Sequence, residues 1–355
     1  MNDKVILAKE LQAKIAANAK EQITIMEVCG THTHALFAHG IRSMLPPTVN
    51  LISGPGCPVC VTSQGDIDAM VSLSEKSDVA VCTFGDMMRV PGTKGTLQQA
   101  RSEGADIRLM YSPFDVISWA KKESQKQFVL VGIGFETTTP SFAATIKAAK
   151  SEGIKNISLL SLHKSVIAAL DPLANIPGVS VDGLMLPGHV TSIVGADAFK
   201  VLPEKYGIPG VVTGFEALDM LASIEALVRM KISGKPKIIN QYTRVVKSFG
   251  NPVAMKMIDE VFSPCDSNWR GMGVLPGSGL MLADKYKEFD AVSRFDLKII
   301  DVPEPDGCIC GQVITGSMRP TQCPLFATSC TPTSPVGPCM VSGEGTCSAY
   351  YKYRE

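Results

Sequence analysis

The sequence has no excess of charge of either sign: Lys and Arg number 34, and so do Asp and Glu. That balance removes the electrostatic case for nucleic acid or an anionic membrane as a partner, a local patch apart. No apolar run reaches about 18 residues, so no membrane span is expected. The opening MNDKVILAKELQAK scatters charges through its length and lacks an apolar stretch before a small-residue cleavage site. No export signal is expected from it, and the cytoplasm is the expected compartment. There is no phosphate-binding Walker run and no Ser–His–Asp signature. The Gly-rich GMGVLPGSG at 271–279 lacks the strand–turn–helix frame of a dinucleotide fingerprint. Only one C-x-x-C occurs, so a zinc ribbon cannot be completed.

What is present begins with length and apolar content. The 355 residues, 45% hydrophobic and 19% charged, suit two or three domains with sizeable cores. Eleven cysteines without an export signal point to metal binding or catalysis rather than structural disulfides. They are unevenly spread. Cys29, Cys57, Cys60 and Cys82 lie in the first quarter, Cys265 stands alone, and Cys308, Cys310, Cys323, Cys330, Cys339 and Cys347 crowd the tail. Two separate cysteine sites are the simplest reading.

Hydrophobic periodicity predicts a helix over 3–20 with Leu7, Leu11 and Ile15 on one face. A β-branched strand ITIMEV (23–28) follows, then GTHTH as a turn and a helix over ALFAHGIRSML. Strand VNLIS, loop GPGCPVC, helix DIDAMVSLSEK, strand VAVCTF, strand ADIRLMY, helix FDVISWAKKES and strand FVLVGIG continue the alternation. Such alternation means a parallel sheet covered on both faces. A faint repeat aligns MEVCGTHTHALFAHGI with IGFETTTPSFAATI, SGPGCPVC with LMLPGHVT, and VCTFGDMM with VVTGFEALDM. The expected organisation is two similar α/β domains, 25–125 and 126–240. A third, irregular α/β domain takes 241–355, with residues 1–24 packed on it. Within it, NQYTRVVKSFGNPVAMKMIDEVF is expected to hold a strand and a helix, and CDSNWRGMGVLPGSGL to be irregular. The Cys-, Pro- and Gly-rich tail cannot order itself by apolar burial alone, so a metal staple is expected there.

Cys29 sits at a strand's carboxyl end, where sites form in parallel sheets and where the next helix's N-terminus favours an anion. A lowered thiol pKa is expected there. His32 and His34 beside it raise the weight of a functional thiol over a small buried core residue. GPGCPVC places Cys57 and Cys60 in a tight loop, expected to be exposed, that can form a disulfide or bind a metal. Glu136, with Thr137, Thr138 and Thr139 at another strand end, can hydrogen-bond a polar ligand or simply cap a helix. Asp86 and His189 occupy similar loops. The tail spacing is C-x-C, then gaps of twelve, six, eight and seven residues, which favours an iron–sulfur cluster over structural zinc. Six cysteines exceed four ligand places. Cys308 and Cys310 compete for one, and Cys339 reads as a bystander.

Together EVCGTHTH, GPGCPVC, GFETTTP, LPGHVT and CPLFATSCTPTSPVGPCMVSGEGTCSAYY resemble the hydrogenase maturation HypD family over nearly the whole chain. The resemblance implies two Rossmann-like domains and a third with a [4Fe–4S] cluster. It implies a scaffold that, with a HypC-type chaperone, assembles the Fe(CN)2CO group of [NiFe]-hydrogenase, taking cyanide as a thiocyanate from a HypE-type carrier. By the same resemblance Cys29 holds the iron, and Cys57 and Cys60 are a redox pair. Cys323, Cys330 and Cys347, with Cys308 or Cys310, hold the cluster. His32, His34 and Glu136 are expected around the iron site, the histidines tuning it rather than binding metal. A monomer is expected in isolation, with a redox role in cyanide transfer; whether that makes the chain an enzyme stays open. Two other readings remain at this point: a stand-alone iron–sulfur thiol–disulfide oxidoreductase, and a zinc hydrolase built on Cys29, His32 and His34.

Overall fold

The computed structural model describes residues 3–353 except 177 and 301. Its strands are β1 (Ile23–Glu27), β2 (Val49–Ser53), β3 (Val79–Thr83), β4 (Asp106–Leu109), β5 (Gln127–Gly132), β6 (Ile157–Ser161), β7 (Gly183–Pro187), β8 (Gly210–Thr213), β9 (Ile238–Asn240), β10 (Phe262–Trp269) and β11 (Gly273–Leu282). Two sheets are parallel throughout, ordered β2-β1-β7-β8-β9 and β4-β3-β5-β6. Strands β3, β7 and β8 are buried at every residue. That is why they read as continuous apolar runs rather than as alternating ones. The mixed α/β class agrees with the sequence reading.

The sheets cut across the division expected at 125/126. The first takes strands from 23–53 and 183–240, and the second takes those from 79–161. The second sheet is thus inserted between two strands of the first. Parallel neighbours need a crossover, and a crossover can hold a whole sheet as easily as one helix. Local periodicity cannot tell the two cases apart. Strand order also changes the repeat. By position in its sheet, β1 corresponds to β3 and β7 to β5, so the strand end bearing Cys29 matches the one bearing Asp86.

The remaining corrections concern the ends of the chain. The helix Asp3–Asn18 packs on the helix Ala217–Ser233 of the first sheet, burying Leu11 and Ile15 with Ile23, Leu36, Met220 and Ile224, rather than on a third domain. The segment 262–282 is not irregular but an antiparallel hairpin, with a bulge between Cys265 and Ser267. Its glycines mark the turn: Gly271 and Gly273 both take positive φ. No strand forms in 241–251, where the chain runs as a loop into the helix Pro252–Val261. Among the described residues, the region after 240 closes no core of its own. Phe262, Leu282, Tyr286 and Phe289 join the core of the second sheet, whereas Trp269, Leu275, Val313 and Ile314 join a core with Met26, Leu184 and Val212 of the first.

Ile15 is fully buried and Leu7 is 44% exposed. Ile15→Ala should therefore cost about 2–5 kcal/mol, and Leu7→Ala no more than ~0.5 kcal/mol. Thermal unfolding of the two variants checks this. An unshifted transition for Ile15→Ala would mean that the helix does not belong to the first sheet's core.

Candidate functional site

Cys29 caps the helix Gly30–Ala38 with extended backbone, φ −161°. GTHTH is therefore the first turn of that helix and not a separate loop. The chain leaves β1 toward β2 and later returns to β7 on the other flank. Cys29 thus stands at the switch point where open α/β sheets form their crevice. The thiol is only 7% exposed. Contrary to the sequence expectation, its pKa is pushed up to about 11, first by burial and then by the Glu344 carboxylate. Hydrogen bonds from His32 and Thr31 pull the other way and lose. A helix N-terminus is worth about 0.3–1 kcal/mol to an anion, and desolvating a buried charge costs several.

The two histidines diverge, because residues two apart on a helix lie about 200° apart around its axis. His32 is fully buried, with Nε2 3.2 Å from the Thr213 carbonyl oxygen and 3.1 Å from that of Gly214. Carbonyls only accept, so the proton is assigned to Nε2, and Nδ1 is left as an unpartnered acceptor. Burial lowers the His32 pKa to about 4, which keeps the ring neutral. That ring stacks on Phe215, which stacks in turn on His189. His34 turns the other way, to the Gly345 backbone and the edge of Tyr353. Among the described residues, no three His, Cys, Asp or Glu side chains converge as a single-ion site, so the zinc-hydrolase triad does not form.

Cys57 and Cys60 are joined in a disulfide, Cα–Cα 5.2 Å. Cys57 caps the short helix Pro58–Val61, with Sγ accepting from the Cys60 amide at 3.2 Å. The loop is not exposed as expected: Cys57 is 5% and Cys60 1% accessible. The reason is tertiary. This helix packs against two tail helices, Cys310–Ile314 and Pro338–Val341, and its sulfurs share one apolar core with Trp269, Cys310 and Cys339. Arg270 clamps the far side of the loop, with Nε 3.2 Å from the Thr62 carbonyl and Nη2 3.2 Å from Gln64 Oε1. Its charge also reaches Cys310.

All six tail cysteines line one cavity, with Ile309, Val313, Leu325, Phe326 and Met340 as its apolar walls. Cys339, expected to be a bystander, sits among them, its thiol in contact with those of Cys310 and Cys347. Main-chain amides already point at two of the sulfurs, Val336 N to Cys330 at 3.4 Å and Cys347 N to Cys339 at 3.2 Å. Convergent thiols, apolar walls and N–H···S bonds fit an iron–sulfur cluster.

Glu136 follows β5, at the switch point of the second sheet, whereas Cys29 follows β1 of the first. Ser165 donates to the Glu136 Oε1 at 2.8 Å, its Oε2 meets no hydrogen-bond donor among the described residues, and burial raises its pKa. Sequence reasoning missed Glu344. The Thr31 hydroxyl donates to it at 2.9 Å across 313 positions. Next to it, Ser342 Oγ and Gly343 N donate to Asp86 at 3.4 and 3.3 Å. One tail turn therefore touches the equivalent strand ends of both sheets. The capping position of Cys29 was open to sequence inspection, but nothing in the order of residues pairs 344 with 31.

The HypD family model, described as the hydrogenase formation hypA family, matches residues 6–354. The chain is 42% identical to the hydrogenase maturation factor HypD of Escherichia coli K12, over 98% of this chain and 93% of that protein. It is 41% identical to the factors of the same name from Rhodobacter capsulatus and Cupriavidus necator, again over 98% of this chain and 95% and 94% of theirs.

Glu344→Gln keeps an oxygen for Thr31 and removes the charge that raises the Cys29 pKa. In metal-free protein the thiol should then alkylate severalfold faster at a fixed pH, with its pH–rate curve displaced to lower pH. An unmoved curve would mean that the carboxylate does not act on the thiol.

Proposed function

The chain belongs to the HypD family of hydrogenase maturation factors, and from that membership we propose that it is a redox-active scaffold for the Fe(CN)2CO unit of [NiFe]-hydrogenase. A HypC-type chaperone shares the iron, and a HypE-type carrier brings cyanide as a thiocyanate. The observation that carries this reading is the segment Cys339–Cys347. Its two end thiols line the tail cavity, and between them it lays Glu344 against the helix that Cys29 caps.

Iron is the cargo, and Cys29 is its soft thiolate ligand. The free thiol is protonated, so iron must displace that proton on binding; Glu344 is the nearby carboxylate. His32, neutral and fixed by two carbonyls, holds the crevice wall without taking a ligand position. Releasing cyanide from a thiocyanate consumes two electrons. The Cys57/Cys60 dithiol supplies them: the carrier's S–C bond breaks, the two protons pass to the carrier thiolate and to cyanide, and the disulfide forms. A [4Fe–4S] cluster held by Cys323, Cys330, Cys347 and Cys310 or Cys308 would supply single electrons next to that disulfide. The core that Cys57 and Cys60 share with Cys310 and Cys339 supports this order of parts. It equally suits a stand-alone thiol–disulfide oxidoreductase, which would have no use for Cys29.

Cys29→Ala separates the two. The variant should keep its fold, its brown chromophore and its disulfide, yet lose the cyanide and carbonyl infrared bands of the complex with the chaperone and fail to support hydrogenase activity in cells. Bands and activity that survive would leave the oxidoreductase reading. Cys330→Ser should abolish the chromophore, since a hydroxyl is a poor ligand for soft iron; undiminished iron and sulfide would remove the cluster. Mild reduction of the folded protein should open the Cys57–Cys60 bond and reoxidation should restore it, as read by mass spectrometry. A pair that stays locked while activity persists would end the redox role.

A further inference from the structure

Six thiols face one cavity, and a [4Fe–4S] cluster needs four. We propose that Cys308 is the receiving thiol, which takes the cluster from the protein that delivers it and hands it to Cys310. The proposal rests on the cluster reading above, takes Cys310 rather than Cys308 as its permanent ligand, and assigns a task to the thiol thus left over.

Three observations carry it. First, Cys308 borders two spaces. It lines the thiol cavity and also a separate surface groove, whose walls include Ile176, Glu304, Gln312, Thr315 and Ser317. None of the other five tail cysteines lines that groove. Second, Cys308 is half-buried and Cys310 is buried, 3% exposed, so the two thiols stand at the outer and inner ends of a step two residues long. Third, both sulfurs border one point. A Cβ built on Gly337 would lie 3.1 Å from Cys308 Sγ and 3.6 Å from Cys310 Sγ. The glycine leaves that point open, so an iron bound by one thiol is within reach of the other without movement of the backbone. Cys323 and Cys347 are also half-buried, but neither lines the groove, and the Cys323 thiol is turned to the Gly307 carbonyl at 3.9 Å.

The chemistry is ligand exchange. The Cys308 thiol gives its proton to the leaving thiolate of the delivering protein as one Fe–S bond forms and the other breaks. Cys310 then displaces Cys308 in the same way and returns a proton to it. No electrons move. Cys310 is the final ligand because it is the buried, inner thiol of the two and lines the cysteine cavity without bordering the groove.

The test uses the full metal-free chain under anaerobic conditions. Cluster is offered either from a scaffold protein carrying [4Fe–4S] or as ferrous iron with sulfide. Uptake is followed by visible absorbance, and the final iron and sulfide are counted after removal of the donor. Cys308→Ser should reach the wild-type content from iron and sulfide but take up cluster from the scaffold severalfold more slowly. Gly337→Ala, which keeps every thiol and crowds Cys308, should show the same selective slowing. Equal scaffold rates for the wild type and both variants would overturn the proposal. So would loss of cluster from both sources in Cys308→Ser as complete as in Cys330→Ser, because Cys308 would then be a permanent ligand. A wild type that accepts cluster from neither source would remove the cluster reading itself, and the proposal with it.

Discussion

The site depends on backbones that touch with no side chain between them. A Cβ on Gly56 would lie 2.3 Å from the Cys29 nitrogen, and one on Gly30 would lie 2.0 Å from the Glu344 carbonyl oxygen. The loop carrying Cys57 and Cys60, the strand end carrying Cys29 and the tail turn carrying Glu344 are thereby stacked in direct contact. Any side chain at either glycine would have to push two of the three segments apart, since backbone cannot yield as the end of a flexible side chain can. The common core of the disulfide and the tail thiols follows from that stacking, as does the reach of the Glu344 charge to Cys29.

Electrostatics under this stack are arranged by burial first and by partners second. Glu27, at the end of β1, is wholly buried. Arg42, Thr33 and Ser53 hold it, yet desolvation still raises its pKa. Removing one partner of such a buried pair typically costs about 3–5 kcal/mol. Arg42 pairs with Glu27 from the following helix Ile41–Met44, and Thr33, on the Cys29 helix, fastens that helix to the strand before it. Arg42 also lies over Phe37 and Tyr350, which ties that helix to the tail helix Thr346–Lys352. Cys29 obeys the same order of effects. The favourable helix end is present, but burial and a neighbouring carboxylate outweigh it and hold the thiol pKa up.

Much of this was legible in the residues. Buried strands are written as apolar runs, and the capping role of Cys29 follows from a strand running into a helix. The six cysteines crowded into the tail read as one site, and in the folded chain they line one cavity. The motif loops fall at strand ends because parallel sheets leave their carboxyl ends open for chemistry. The divergence of His32 and His34 could also have been read, since helical geometry alone separates positions two apart.

Tertiary structure decided the rest. Periodicity reports whether a segment is strand or helix and says nothing of its neighbour, so the insertion of one sheet between β2 and β7 was invisible and the boundary near 125 was misplaced. Burial of the Cys57/Cys60 loop came from tail helices that lie some 250 residues away in the chain. The pairing of Glu344 with Thr31 and the gathering of Cys339 into the thiol cavity have the same origin. Local sequence determined which groups can do chemistry, because reactivity resides in the side chain. Packing alone decided which of them meet and at what charge, because contact and desolvation are properties of the folded chain.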